Sequence, residues 1–172
     1  AYAVKEKLLG GNYKNQINNQ AISTTAYGYL VNYNSFADVK FIAALINEKF
    51  KVRYAEKDFT HAGKTFPKGT IIILKKGNET KLQQFVNMAG KYNATVTEVN
   101  SGFMDTGFDF GSDKVHLIKK PTVALLTGRG TSPNATGEVW QFFDQQLNYP
   151  ISLINADDID GSALKNIDVL IM

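Results

Sequence analysis

Apolar positions along this chain follow two alternating rhythms: short β-branched or aromatic runs, and longer stretches in which apolar residues return every three or four positions. Residues 26–33 read as a strand, and Asn34 and Ser35 end it. Ser35 suits a helix N-cap, and Asp38 would lie in the first turn, where its charge favours the helix dipole. That helix is predicted to run to about Lys49, with Phe36, Val39, Ile42, Ala43 and Ile46 on one face. Residues 50–55 alternate as a strand. Residues 59–66 form a tight hairpin about Ala62-Gly63, and 70–74 are strongly β-branched. Gly77-Asn78 turns the chain into a helix over 79–92, with Leu82, Phe85, Val86 and Ala89 at i, i+3, i+4 and i+7. Residues 94–99 give the next strand, so one strand–helix–strand unit follows another.

A Gly/Asp loop over 100–114 leads to a short strand at 115–118, and Lys119-Lys120-Pro121 reads as a joint between domains. Val123 to Leu126 is an apolar, buried-type strand. A loop of small and polar residues follows, then a helix from about Ala135 to Leu147 with Val139, Trp140, Phe143 and Leu147 on its apolar face. A strand at 149–154, a polar turn at 156–162 and an apolar strand from Val169 complete the series. The expected fold is α/β. Residues 1–25, amide-rich over 10–20, form a linker or extended arm. An α/β accessory domain spans 26–118, and 121–172 is the truncated start of a flavodoxin-like parallel sheet. Half of such a sheet rarely buries enough surface alone, so it must lean on the first unit or on further residues.

Composition narrows the function classes. The net charge of +3 is mild and its lysines are scattered, without the basic stripe that nucleic-acid binding requires. No apolar run reaches the length of a membrane span. Cysteine is absent, which excludes disulfides, thiolate metal sites and a cysteine nucleophile. The chain begins with Ala1, which predicts that it was processed or cut from something longer.

The loop after the 123–126 strand is the first place to look for a ligand, because open α/β sheets bind at the carboxyl ends of their strands. Thr127, Gly128, Arg129, Gly130, Thr131, Ser132 and Asn134 could offer backbone N–H groups, hydroxyls and one cation to an anion at the helix start. The loop is neither Gly-x-Gly-x-x-Gly nor a Walker pattern, and such connections also occur without any ligand. His61 and His116 lie in different units, and each has a lysine at i+3 where a metal ligand would be needed. Asp105, Asp109 and Asp113 recur every four residues, whereas an EF-hand wants oxygen ligands at every second position. These, with Asp157, Asp158 and Asp160, read as turn aspartates. Ser132 and Ser162 lack a nucleophile-elbow setting. Asn78, Asn93 and Asn134 fit the N-glycosylation pattern, which in a chain rich in Asn and Thr is expected by chance.

An ordered series of segments carries a resemblance over roughly residues 26–172. It comprises Phe50-Lys-Val-Arg-Tyr-Ala-Glu-Lys-Asp-Phe59, Phe66-Pro-Lys-Gly-Thr-Ile-Ile-Ile73 and Thr106-Gly-Phe-Asp-Phe-Gly-Ser112, then Lys120-Pro-Thr-Val-Ala-Leu-Leu-Thr-Gly128 and Gly137-Glu-Val-Trp-Gln-Phe-Phe-Asp-Gln-Gln-Leu147. The set resembles the region that follows the catalytic domain in exported, Bacteroidetes-type zinc carboxypeptidase-like proteins. The resemblance implies a parent with an N-terminal carboxypeptidase-like zinc domain, then this region, then a class I glutamine amidotransferase-like domain starting near Pro121. It implies export to the periplasm or beyond, a zinc ion in the parent's peptidase domain, and that domain and further C-terminal residues as partners. It supplies no catalytic residue here. The His-x-x-Glu zinc motif has no match, and neither has the amidotransferase nucleophile, which is a cysteine. The expectation is a non-catalytic accessory region; the alternative is a small-molecule or anion-binding module using the 127–136 loop.

Overall fold

Helix α1, Phe36–Asn47, begins where local chemistry dictates. Ser35 has extended backbone, its hydroxyl accepts from the Asp38 N–H at 3.2 Å, and the Asp38 carboxylate accepts from the Ser35 N–H at 2.9 Å. This reciprocal capping box satisfies donors that the first helical turn leaves open. Ser35→Ala is therefore expected to lower stability by about 1 kcal/mol, read as a shift of the urea unfolding midpoint at unchanged slope. The far end is closed by Lys81, whose ammonium donates to the carbonyls of Glu48 at 2.5 Å and Lys49 at 3.1 Å. A cation there also meets the negative end of the helix dipole.

The computed structural model describes residues 21–172. The fold is α/β, built on two sheets. Strands β1 (Gly28–Val31), β2 (Val52–Ala55), β5 (Ile71–Leu74), β6 (Val96–Val99) and β7 (Val115–Leu117) form a five-stranded sheet in the order β6-β1-β5-β2-β7. Every pairing in it is antiparallel. Each strand–helix–strand pass thus leaves a gap that a strand of the other fills: β5 lies between β1 and β2, and β1 between β5 and β6. This is a double split-βαβ arrangement. Helix α1 links β1 to β2, and α2, Leu82–Lys91, links β5 to β6.

Side chains alternate across the sheet, so each strand feeds both of its faces. On the helix face Tyr29, Val31, Val52, Ile71, Ile73 and Val96 pack against Phe41, Leu45 and Phe85. On the other face Leu30, Ala55, Ile72, Leu74 and Val99 meet a second cluster. Its cover is the hairpin of β3 (Phe59–His61) and β4 (Lys64–Phe66), together with Phe110 from the 100–114 loop. Phe59 stacks on Phe66 at 5.2 Å and meets Phe108 and Phe110 edge-on at 5.4 and 5.9 Å. The hairpin turns at Ala62 and Gly63, with φ of 51° and 71°, the left-handed pair that a two-residue turn demands. Gly107 has φ of 102°, and a Cβ there would come within 2.9 Å of the Phe59 Cβ and 3.0 Å of its Cα, so only glycine lets the loop lie against the start of β3.

The second sheet is parallel, in the order β10-β8-β9, from β8 (Val123–Thr127), β9 (Ile151–Asn155) and β10 (Val169–Ile171). Helix α3, Pro133–Gln141, follows β8 and continues as a turn of π-helix over Phe142–Gln146. Its expected apolar face is only partly used: Val139, Phe143 and Leu147 are half-buried, while Trp140 is exposed.

The second sheet leans on the first unit through α1. Ala43 is buried with Val123 and Tyr149, Phe36 stacks on Phe142 at 5.7 Å, and the Asn47 amide donates to the Asn148 carbonyl at 2.7 Å. The face predicted for α1 faces two ways: Ile42 enters the main core, whereas Ala43 turns toward the second sheet. Most of the expected N-terminal arm lies outside the described residues. Its last part is tied to the body, since Ile22 packs on the main core and Ser23 N–H donates to the Glu98 carboxylate at 2.6 Å. Among the described residues, no helix is long and apolar enough to cross a membrane.

Candidate functional site

The 127–134 loop lies where the strand–loop–helix order places it, at the carboxyl end of β8, beside the loop that follows β9. Thr127 ends the strand, and its hydroxyl donates to the Ile154 carbonyl at 3.3 Å. Gly128 and Gly130 have φ of 89° and 86°. A Cβ on Gly128 would lie 2.5 Å from the Asn155 side-chain oxygen, so the Gly128 backbone lies directly against the Asn155 side chain. The N–H and hydroxyl of Thr131 both donate to the Gly128 carbonyl, at 3.2 and 2.8 Å. Ser132 is the N-cap of α3: its hydroxyl accepts from the Ala135 N–H at 3.5 Å, and its carbonyl from the Thr136 N–H at 2.9 Å. Asn134 sits exposed in the first turn.

Two features bear on the anion expectation. Pro133 occupies the first turn of α3 and brings no N–H. Arg129 is paired to Asp157 at 2.8 Å, in the turn after β9. The cation that was to greet an anion already faces a carboxylate. That pair is exposed and contributes little to stability, but it cancels the local positive charge. What remains beside the loop is a crevice of about 350 Å³ lined by Thr127, Gly128, Thr131, Thr136, Trp140 and Leu153. The Trp140 indole, Leu153 and Pro133 make its walls largely apolar, with threonine side chains and glycine backbone beside them. The sequence reading named the loop but missed Asp157, Asn155, Trp140 and Leu153. The signal was present in principle: β8 and β9 are parallel neighbours, so the residues just past their ends meet.

The remaining candidates are spread through the molecule. Asp105 accepts from the Gly63 N–H at 2.9 Å, which ties the 100–114 loop to the hairpin, and Asp109 accepts from the Met104 N–H at 3.0 Å. Asp113 pairs with Lys114 at 3.3 Å; this contact and the Ser112 hydroxyl hold its carboxyl below the usual range. Asp160 accepts from the Ser162 hydroxyl, the Ala163 N–H and the Ser162 N–H, which lower its proton affinity in that order of effect. His116 lies on β7, and its Nε2 is 2.7 Å from the Glu56 carboxylate, the main reason that carboxyl sits below its ordinary range. His61 is on the hairpin strand β3, remote in sequence and element from that pair. Among the described residues, no group of three or more His, Asp or Glu side chains is placed to hold a metal.

A residue read from sequence only as a turn has a larger role. Asn78 is 2% exposed. Its amide donates to the Leu74 carbonyl at 2.8 Å and the Lys51 carbonyl at 3.2 Å, and its oxygen accepts from the Lys51 N–H at 2.8 Å. It clips the end of β5 to the start of β2, and so its glycosylation pattern falls on a buried, fully engaged side chain.

A second concave surface lies between the two sheets, a cleft of about 550 Å³ with walls from α1, β5 and the second unit. No protein-family model, no curated protein and no solved structure matches this chain.

Proposed function

We propose that this chain is a non-catalytic accessory region of an exported zinc carboxypeptidase-like protein, acting to brace the peptidase domain or to help place its substrate. The observation that supports the reading is how the polar side chains of its loops are used. Asp105, Asp109 and Asp160 hold backbone N–H groups, Ser132 caps a helix, and Arg129 and Asp157 neutralise each other. Groups engaged in this way are fixed in structural roles rather than poised as nucleophile and base. The segments that carry the family resemblance fill the same kind of role: Phe59, Phe66, Phe108 and Phe110 build the ring cluster under the large sheet. On this reading the peptidase chemistry and its zinc belong to the parent's N-terminal domain, and the second sheet is the start of an amidotransferase-like domain. The test is direct. The purified chain, with zinc supplied, is incubated with peptides ending in phenylalanine and in lysine, and C-terminal release is followed by mass spectrometry. No release above buffer is expected; steady release of either residue would overturn the reading.

The Trp140 crevice favours a second reading, a small-molecule module using residues 127–136. With Arg129 paired and Pro133 in the first helical turn, the fitting ligand is neutral, with a flat apolar face for the indole and hydroxyls at its edge. Titration with neutral sugars and with inorganic phosphate, read at the 127–136 amides and the Trp140 indole, separates the options. Shifts with a sugar alone support the module, and silence with both removes it.

A further inference from the structure

The cleft between the two sheets is a separate concavity, and the loop chemistry above does not involve it. Val39 and Ile46 of α1 form its floor, Ile71 and Ile118 one wall, and Leu147 and Tyr149 the other. Among the described residues that line it, none carries a charge. Its volume of about 550 Å³ lies within the range of small-molecule sites, and a seam between two packed units is where such sites concentrate. The far wall is fixed in place, because the Tyr149 hydroxyl donates to the Pro121 carbonyl at 2.6 Å and its ring meets Phe143 at 6.3 Å. Two lining tyrosines at the rim, Tyr33 and Tyr54, have hydroxyls with no hydrogen-bond partner among the described residues, and both residues are exposed, at 56% and 37%.

We propose that this cleft binds a neutral, mostly apolar small molecule that carries one hydrogen-bonding group, such as an aliphatic or aromatic alcohol. The uncharged lining selects the class. An ionised ligand would give up hydration against lining side chains that offer it no charge, a cost that apolar contacts do not offset. A neutral hydroxyl has Tyr33 and Tyr54 as available partners, while the hydrocarbon body buries against valine, isoleucine and leucine side chains.

The probe is N-phenyl-1-naphthylamine, which is neutral, compared with the anionic 8-anilinonaphthalene-1-sulfonate. Saturable fluorescence enhancement at one equivalent is expected for the neutral probe, at least about tenfold tighter than for the anion, a ratio within reach of one unpaired buried charge. Decanol should displace it and decanoate should not. Val39→Trp would fill the floor and weaken probe binding by about tenfold or more, with an unchanged circular dichroism spectrum. Should that variant fail to fold, the unmodified chain still decides. Decanol is expected to shift the methyl resonances of Ile46, Ile71 and Ile118 and to leave Leu153, beside the Trp140 crevice, in place. Non-saturable enhancement, equal affinity for the two probes, or methyl shifts centred on Leu153 would overturn the proposal. So would a dimer, seen by sedimentation, that releases the probe, because the occupant would then be a second copy. A chain beginning at Ala21 that binds the probe more tightly would also overturn it, because the occupant would then be residues 1–20.

Discussion

Replacing Phe85 by alanine is expected to cost about 3–5 kcal/mol of folding stability, the range for truncating a fully buried aromatic residue. Phe85 is fully buried on α2, where four rings converge. Its centroid lies 4.6 Å from Tyr29, 5.8 Å from Phe41 and 6.4 Å from Phe50. These partners come from β1, from α1 and from the turn before β2, so the truncation leaves a void bordered by separate elements. None can move in to fill it without losing its own place on the sheet. Phe85→Leu keeps much of the volume and should cost markedly less. Urea unfolding followed by circular dichroism would check both; a loss below about 1 kcal/mol for Phe85→Ala would show that the void collapses.

Asn78→Asp is the second change of this size. The substitution is nearly isosteric, yet it replaces two N–H donors with an acceptor. The Leu74 and Lys51 carbonyls, 2.8 and 3.2 Å away, would then face a carboxylate oxygen instead of an amide. Each lost buried partner costs about 1–3 kcal/mol, and burying the charge adds to that. A loss of about 3 kcal/mol or more is expected at neutral pH. Protonating the new carboxyl restores one donor and removes the charge. The deficit relative to Asn78 should therefore narrow as pH falls through the folded-state pKa, which burial raises above the ordinary aspartate range. Unfolding midpoints of both proteins across pH 4–8 would show it, and a pH-independent difference would contradict this account.

What the sequence made legible was local. Ser35 and Asp38 announce a helix start because their partners lie within one turn, and Gly63 announces a hairpin because its place in the turn needs left-handed backbone. Residues whose partners are remote were misjudged or passed over. Asn78 follows a glycine in a turn-forming pair, and nothing nearby reveals that it holds Lys51. Arg129 read as an available cation because Asp157 stands on another strand's loop. Phe41 and Leu45 were left off the predicted face of α1, since a single apolar stripe was assumed. The helix is instead used from two sides, by the large sheet and by Val123 and Tyr149. The strand–helix–strand passes were read correctly as elements, but periodicity does not say which strands become neighbours.

The strand order carries a consequence for how the chain is born. Among the strands of the large sheet, β1 and β2 are made before the others, yet neither pairs with the other; both wait for β5, and β1 also waits for β6. Until residues 71–74 are synthesised, a delay on the order of seconds, the nascent chain exposes two unpaired strand edges and the apolar side of α1. Closing these long-range pairings sets a slow, high-contact-order path. β5 is thus the keystone in time as well as in space, and this fold is one for which a nascent-chain chaperone would matter most before Leu74 leaves the tunnel.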